Sequence, residues 1–200
     1  MHYYTDISPY IKDVELRQQP VILTVHEFTE SSVLKFNEQM CHAQNSGQKV
    51  IPIEIDSYGG QVYSLMAMIS SIKSSRVPIA TIVQGKAMSC GAILASFGSE
   101  GLRFMDKDAT MMIHDVSSFA FGKIEELKSD VRESERLNKK VYQMMARNCG
   151  KPDDYFTKLI HDKGHSDWFL DAEEAKKHGL IDHIRVPEMK IKVDVSITVE

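Results

Sequence analysis

Three successive apolar runs, each followed by a turn and a stretch of helical periodicity, constrain this chain more than any other feature. Strands are predicted at 21–25, 50–55 and 79–83. A helix capped by Thr29 or Glu30 is predicted after the first strand, and a helix that begins at Ser89 is predicted after the third. Parallel strands need long crossovers, which helices fill, so this order predicts βαβ units around a largely parallel sheet. The expected fold class is therefore α/β.

The second half of the chain continues this pattern and adds one unusually long helix. Apolar positions at helical spacing predict a helix over 124–148, which is too long for an ordinary local crossover. Its charged face is typical of a solvated surface, and the alternative is an arm for self-association. The remaining predicted elements are a strand at 110–114, a helix at 171–177, a strand at 180–184 and an alternating strand at 190–199.

Composition excludes several classes of protein. Two hundred residues predict a single domain, and a net charge of −4 without basic clusters argues against a nucleic-acid partner. Three cysteines without a CxxC spacing favour a reducing compartment, so we expect a cytoplasmic protein. The chain contains no apolar run of signal-peptide or membrane-spanning length, so neither secretion by that route nor a membrane location is expected.

The stretch KAMSCGAIL, residues 86–94, places Ser89 between an apolar strand and an apolar helix. The start of a helix carries unpaired N–H groups and the positive end of the dipole, which stabilise a developing oxyanion. Ser89 is therefore a candidate nucleophile for acyl transfer. The alternative is an ordinary N-cap serine.

Two glycines and a cysteine can supply the rest of an oxyanion site. Gly59 and Gly60 follow a strand and allow close backbone approach to a ligand, although a plain tight turn explains them equally well. The N–H groups of Gly60 and Cys90 can form a two-donor oxyanion hole. The Cys90 thiol is itself an alternative nucleophile, but a free cysteine at a helix start more often packs inward.

A histidine and an aspartate complete the candidate catalytic group. His114 ends a predicted strand, at the edge where α/β sheets collect catalytic residues. Asp115 is a poor partner for it because successive strand residues point to opposite faces. Asp167 is the better candidate, since the neighbouring Trp168 and Phe169 can shield it from water. The alternatives are a packed histidine and a loop or capping aspartate.

Metal binding has weaker support. His161 and His165 have an i, i+4 spacing with Asp162 between them. Two histidines without a further strong ligand are more typical of a polar helix end than of a zinc site, so no metal is expected.

Four motifs together resemble a known family. DSYGG, GKAMSCGA, MMIHD and SDWFLDAEEAKKHGLID resemble, in order and spacing, stretches of the proteolytic subunit of the Clp protease (ClpP), over about 21–184. The resemblance implies the ClpP/crotonase fold, with segment 1–20 divergent and 185–200 a C-terminal tail. It implies a serine endopeptidase that works through an acyl-enzyme and needs no cofactor.

The resemblance also assigns roles to residues. It implies Ser89 as the nucleophile, His114 as the general base and acid, and Asp167 as the residue that orients His114. It implies the backbone N–H groups of Gly60 and Cys90 as the oxyanion hole. The implied substrate-binding positions are Gly59, Val116, Ser117 and Ser118, in a segment that binds an extended peptide by strand hydrogen bonds.

The family's assembly is implied as well. The long helix resembles the handle through which two heptameric rings pack face to face around a chamber for unfolded polypeptides. The chain has no P-loop pattern, so any ATPase must be a separate partner. The partners that the resemblance implies are an AAA+ unfoldase or a host ClpP or ClpX-type protein.

Departures from the family's motifs suggest a divergent or phage-encoded member. Tyr58 stands in place of the usual proline, Cys90 in place of methionine, and Asp115 and Val116 in place of Gln-Pro. These changes alter the walls of the peptide groove more than the path of the proton. The alternatives are a phage head-maturation protease of the same fold, a crotonase-type acyl-CoA enzyme and a non-catalytic ring subunit.

Overall fold

A computed structural model of the chain describes residues 19–116 and 122–191 in full, together with the backbone of 2–3 and 14–15. In chain order the strands are β1 (His2–Tyr3), β2 (Val14–Glu15), β3 (Leu23–Val25), β4 (Ile51–Ser57), β5 (Ile79–Met88), β6 (Arg103–Met105), β7 (Thr110–Ile113), β8 (Trp168–Leu170) and β9 (His183–Ile184). The helices are α1 (Glu30–Asn45), α2 (Val62–Ser74), α3 (Cys90–Ala95), α4 (Ile124–Asn148), α5 (Tyr155–Asp162) and α6 (Ala172–Lys177). Almost all of the predicted strand at 190–199 lies outside the described residues.

One mostly parallel sheet organises the described part of the chain. Its strands run in the order β3-β4-β5-β6-β9, and β7 pairs with both β5 and β8. Every pairing in this sheet is parallel except the one between β7 and β8. The predicted α/β class is therefore confirmed. A separate antiparallel pair is formed by β1 and β2.

Strand β5 is longer than the sequence predicts and serves two neighbours. Its residues 81–83 pair with β6, and its residues 86–88 pair with β7. The predicted strand at 79–83 covers only the first half, because the polar stretch around Gln84 and Lys86 interrupts the apolar run. The second half carries the chain past the end of β6 and delivers Ser89 beside the end of β7.

The apolar core lies between the sheet and the helices that follow its strands. Helix α1 starts after Thr29, whose side chain accepts a hydrogen bond from the Ser32 N–H, so the predicted cap is present. Phe36 of α1, Leu65 of α2 and Ile53 of β4 are fully or almost fully buried in one cluster. Burial of these faces, at about 25 cal/mol per Å² of apolar surface, is the main force that fixes the helices on the sheet.

Helix α4 has the predicted bounds and projects from the body of the molecule. Ile124 and Val131 in its first half are 71% and 56% exposed. The buried residues all lie in its second half: Leu137, Val141, Tyr142, Met145 and Ala146. Its carboxyl end is therefore fixed on the core and its amino end extends into solvent. Among the described helices, none is both long and apolar enough to cross a membrane.

Candidate active site

Parallel pairing of β5 with β7 brings Ser89 and His114 together. Met88 at the end of β5 lies opposite Met112 in β7, and the Ser89 N–H donates to the Met112 carbonyl at 2.7 Å. Parallel strands end at the same edge of a sheet, so the residues just beyond them become neighbours. The Oγ of Ser89 lies 2.8 Å from Nε2 of His114.

The conformation of Ser89 separates the two interpretations of this residue. Ser89 occupies the N-cap position of α3, but its side chain makes no capping hydrogen bond. Its φ of 54° and ψ of −119° are unusual for a residue with a side chain. Such strain persists where surrounding structure imposes it, commonly at functional sites. The hydroxyl is directed to an imidazole and not to the helix.

Antiparallel pairing of β7 with β8 places Asp167 beside His114. Ile113 lies opposite Trp168, so the residues immediately outside this pair, His114 and Asp167, face each other. The distance from His114 Nδ1 to Asp167 Oδ1 is 3.7 Å, within reach of an ion pair and longer than a hydrogen bond. Three side chains from three separate segments thus lie in the order serine, imidazole, carboxylate.

The expected shielding of Asp167 by its aromatic neighbours is wrong. The side chains of Asp167 and Phe169 are 56% and 58% exposed, because they share the outward face of β8. Trp168 points to the other face, is 3% exposed, and donates its Nε1–H to Glu174 at 3.1 Å. Solvent therefore reaches the carboxylate directly.

Gly59 and Gly60 bring the end of β4 against Ser89. A Cβ added to Gly59, at φ 104°, would lie 2.8 Å from the Ser89 Cβ, and one added to Gly60, at φ 148°, would lie 2.6 Å from the Phe28 carbonyl oxygen. Close approach, and not only a turn, therefore requires glycine at both positions. Cys90 is the first residue of α3, where the N–H has no intrahelical acceptor. No backbone carbonyl of the described residues accepts a hydrogen bond from the N–H of Gly60 or of Cys90.

The Cys90 thiol is a hydrogen-bond donor and not a competing nucleophile. The side chain is 1% exposed, and Sγ–H donates to the Gly60 carbonyl at 3.2 Å. Burial raises the pKa of this thiol to about 11, so it stays protonated near neutral pH. The inward packing expected for this cysteine is observed.

A comparison of the chain with models of known protein families identifies its family. The model described as Clp protease matches residues 10–188, nearly the full chain. The chain belongs to the Clp protease family. Membership implies a peptidase of the ClpP serine type, and the mostly parallel sheet with its helices is consistent with the ClpP fold. The matched range extends beyond the residues, about 21–184, over which the sequence alone resembles the family.

The peptide-binding segment expected in this Clp protease is only partly described. Val116 packs against the core, and its N–H donates to Asn138 Oδ1 at 3.1 Å. Because this N–H already donates to Asn138, it is not free to donate to the backbone of an added peptide strand. Ser117 and Ser118 lie outside the described residues.

The departures from the family's motifs have defined environments. Tyr58 is 78% exposed, with Lys86 Nζ 4.5 Å from its ring centre. Asp115 accepts hydrogen bonds from Asn138 of α4 and from His165. The sequence did not reveal the contact between Asp115 and His165, because the two residues lie in different segments and share no motif.

The two histidines considered as metal ligands serve other contacts. The His161 and His165 rings lie 5.2 Å apart, edge to face, and His165 donates to Asp115. Among the described residues, no group of three or more His, Cys, Asp or Glu side chains is placed to hold a metal ion.

Proposed function

We propose that this Clp protease family member is a serine endopeptidase that cleaves unfolded polypeptides through an acyl-enzyme. The 2.8 Å contact between Ser89 Oγ and His114 Nε2, at the start of a helix, is the observation that carries the proposal. A serine hydroxyl is a weak nucleophile until a base at this distance accepts its proton. The assigned roles are nucleophile for Ser89, general base and acid for His114, and orienting carboxylate for Asp167.

The proposed reaction follows from these positions. Ser89 Oγ attacks the peptide carbonyl carbon while His114 Nε2 takes the hydroxyl proton, and the N–H groups of Gly60 and Cys90 donate to the resulting oxyanion. The C–N bond then breaks as His114 returns the proton to the leaving amine. A water molecule, deprotonated by His114, hydrolyses the acyl-enzyme and regenerates Ser89.

Asp167 contributes through the tautomer of His114. A carboxylate beside Nδ1 favours the proton on Nδ1, which leaves Nε2 as the acceptor for the serine proton. At 3.7 Å the two atoms are not yet hydrogen-bonded. Catalytic hydrogen bonds are often long without substrate, and a closure of about 1 Å would bring this pair to hydrogen-bond distance.

The assembly proposed for the protein is the family's pair of heptameric rings around a chamber, in the cytoplasm, supplied by a separate ATP-driven unfoldase. The projecting half of α4 supports this, because its exposed Ile124 and Val131 offer apolar surface for another subunit. Enclosure would confine an unselective peptidase to chains that have already been unfolded.

Cleavage of a fluorogenic peptide by wild type and by Ser89→Ala tests the proposal. We expect kcat to fall by a factor on the order of 10⁴ or more, because the nucleophile is lost. Ser74→Ala, which removes an exposed hydroxyl at the end of α2, is the matched control and should keep wild-type activity. Equal activity of wild type and Ser89→Ala would overturn the proposal. Acyl-CoA thioester turnover that survives Ser89→Ala would favour the crotonase-type alternative.

A further inference from the structure

The turn that carries Asp167 is held at two points. On one side, β8 begins at Trp168 and is fixed by its pairing with β7. On the other side lies His165, whose Nδ1–H donates to Asp115 Oδ2 at 2.6 Å. Among the described residues, His114 is the only recorded partner of the Asp167 side chain, and that contact is 3.7 Å long. The position of this carboxylate therefore depends on the course of the backbone around it.

The backbone at this turn has an unfavourable conformation. Gly164 and His165 follow α5 with φ values of 71° and 58°. Glycine adopts such values freely, but a residue with a side chain does so at a cost and needs contacts that impose it. His165 has two such contacts: its N–H donates to the Ile160 carbonyl at 3.0 Å, and its ring donates to Asp115.

Asp115 is itself firmly placed. Its Oδ1 accepts from Asn138 Nδ2 at 2.6 Å and from the hydroxyl of Tyr142, a residue of α4 that is 1% exposed, at 3.3 Å. Partial burial alone would raise the pKa of Asp115, but the hydrogen bonds from Asn138 and His165 outweigh it and lower this pKa. The ionised carboxylate only accepts hydrogen bonds, so Nδ1 of His165 carries the proton.

We propose that Asp115 and His165 form a positioning pair, which holds the 163–167 turn so that the Asp167 carboxylate stays beside His114. The pair lies next to the candidate site without belonging to it: Asp115 follows His114 directly, and His165 precedes Asp167 by two residues. Neither side chain touches Ser89. This inference rests on the proposed function, because its effect on the reaction acts through Asp167.

Two substitutions of His165 separate the ring's hydrogen bond from the backbone conformation. His165→Gly removes the donor and accepts positive φ without strain, so the turn loses its tie to Asp115 and keeps its backbone freedom. His165→Asn tolerates positive φ and places an amide nitrogen where Nδ1 stood, so it restores the donor. We expect His165→Gly to lower kcat for peptide cleavage by roughly tenfold to a hundredfold with little change in KM, and His165→Asn to recover most of that loss.

The same substitution on an Asp167→Ala background distinguishes positioning from general damage. If the pair acts through Asp167, His165→Gly causes no further loss of kcat once that carboxylate is absent. His42→Ala removes a largely exposed imidazole of α1 that contacts neither Asp115 nor His165, and it should leave kcat unchanged. Fluorophosphonate labelling rates of Ser89 should follow the same order as kcat.

Three results would overturn the inference: wild-type kcat in His165→Gly, no recovery in His165→Asn, or an undiminished loss on the Asp167→Ala background. If wild type cleaves peptide and is labelled at Ser89, any one of these results overturns the positioning pair alone. A wild type that neither cleaves peptide nor reacts with the probe overturns both the pair and the proposed function.

Discussion

Replacing Gly59 by alanine tests whether close approach of this glycine to Ser89 matters for the reaction. The new Cβ would lie 2.8 Å from the Ser89 Cβ, 3.1 Å from the Met88 carbonyl oxygen and 3.3 Å from the Cys90 nitrogen. Ordinary carbon contacts are about 3.5 to 4.0 Å, so Ser89 must retreat by roughly 0.7 Å or the β4 turn must move by as much. Either shift would disturb the proposed nucleophile and a proposed oxyanion donor together.

The magnitude follows from two separate terms. A positive φ at an alanine costs about 1 to 3 kcal/mol of stability wherever it occurs. A misplacement approaching 1 Å at reacting groups can cost up to about a hundredfold in rate. We therefore expect Gly59→Ala to lower kcat/KM by roughly tenfold to a hundredfold, in addition to a modest loss of stability.

Gly47→Ala is the matched control. Gly47 also has a positive φ, 79°, but its added Cβ would meet nothing within 4 Å. This variant should show the same kind of stability loss, about 2 to 4 °C in Tm per kcal/mol, with unchanged kcat/KM. Both variants are measured by peptide cleavage and thermal unfolding. If Gly59→Ala keeps the activity of Gly47→Ala, the argument from close approach is refuted.

Two further predictions concern a buried thiol and an ion pair. The protonated, buried Cys90 should resist iodoacetamide at pH 8 while the exposed Cys41 reacts, as read by peptide mass spectrometry; rapid alkylation of Cys90 would contradict its donor role. Asp182→Asn should cost about 2 to 4 kcal/mol at pH 7, because Asp182 holds the largely buried Arg103 guanidinium through two hydrogen bonds. Burial alone would raise the pKa of Asp182, but the contacts with Arg103 lower it by more, so the folded pKa is below the ordinary value. The stabilisation is therefore present above the unfolded pKa of about 3.9 and is lost as the pH falls through the folded pKa. Urea unfolding should therefore show the gap between wild type and variant narrowing in acid, and a gap that is constant down to pH 3 would contradict this.

The sequence predicted the elements whose signals are local and missed those that depend on pairing. Helix α4 has the predicted bounds because its apolar stripe is long and regular. Strands β6 and β8 have only three residues each, too few to show a period, and they form because β5 and β7 offer free edges. The second half of β5 was missed for the same reason, since its strand state comes from pairing with β7 and not from its composition.

The candidate site shows the same division. Ser89, His114 and Asp167 could be named because each stands in a recognisable motif, and the register of β5, β7 and β8 brings them together. The pairing of Asp115 with His165 depends on how α4 and the 163–167 turn meet at the strand end. No local pattern encodes such a contact. The exposure of Asp167 was misjudged because its neighbour Trp168 turns toward the core.

Covalent labelling of the intact assembly tests the central claim most directly, that Ser89 is a nucleophile activated by His114. A fluorophosphonate probe followed by peptide mass spectrometry should find one adduct per chain, on Ser89, with no adduct in Ser89→Ala and a much slower reaction in His114→Ala. An adduct on any other residue, or a labelling rate at Ser89 that is the same with and without the His114 imidazole, would contradict the account.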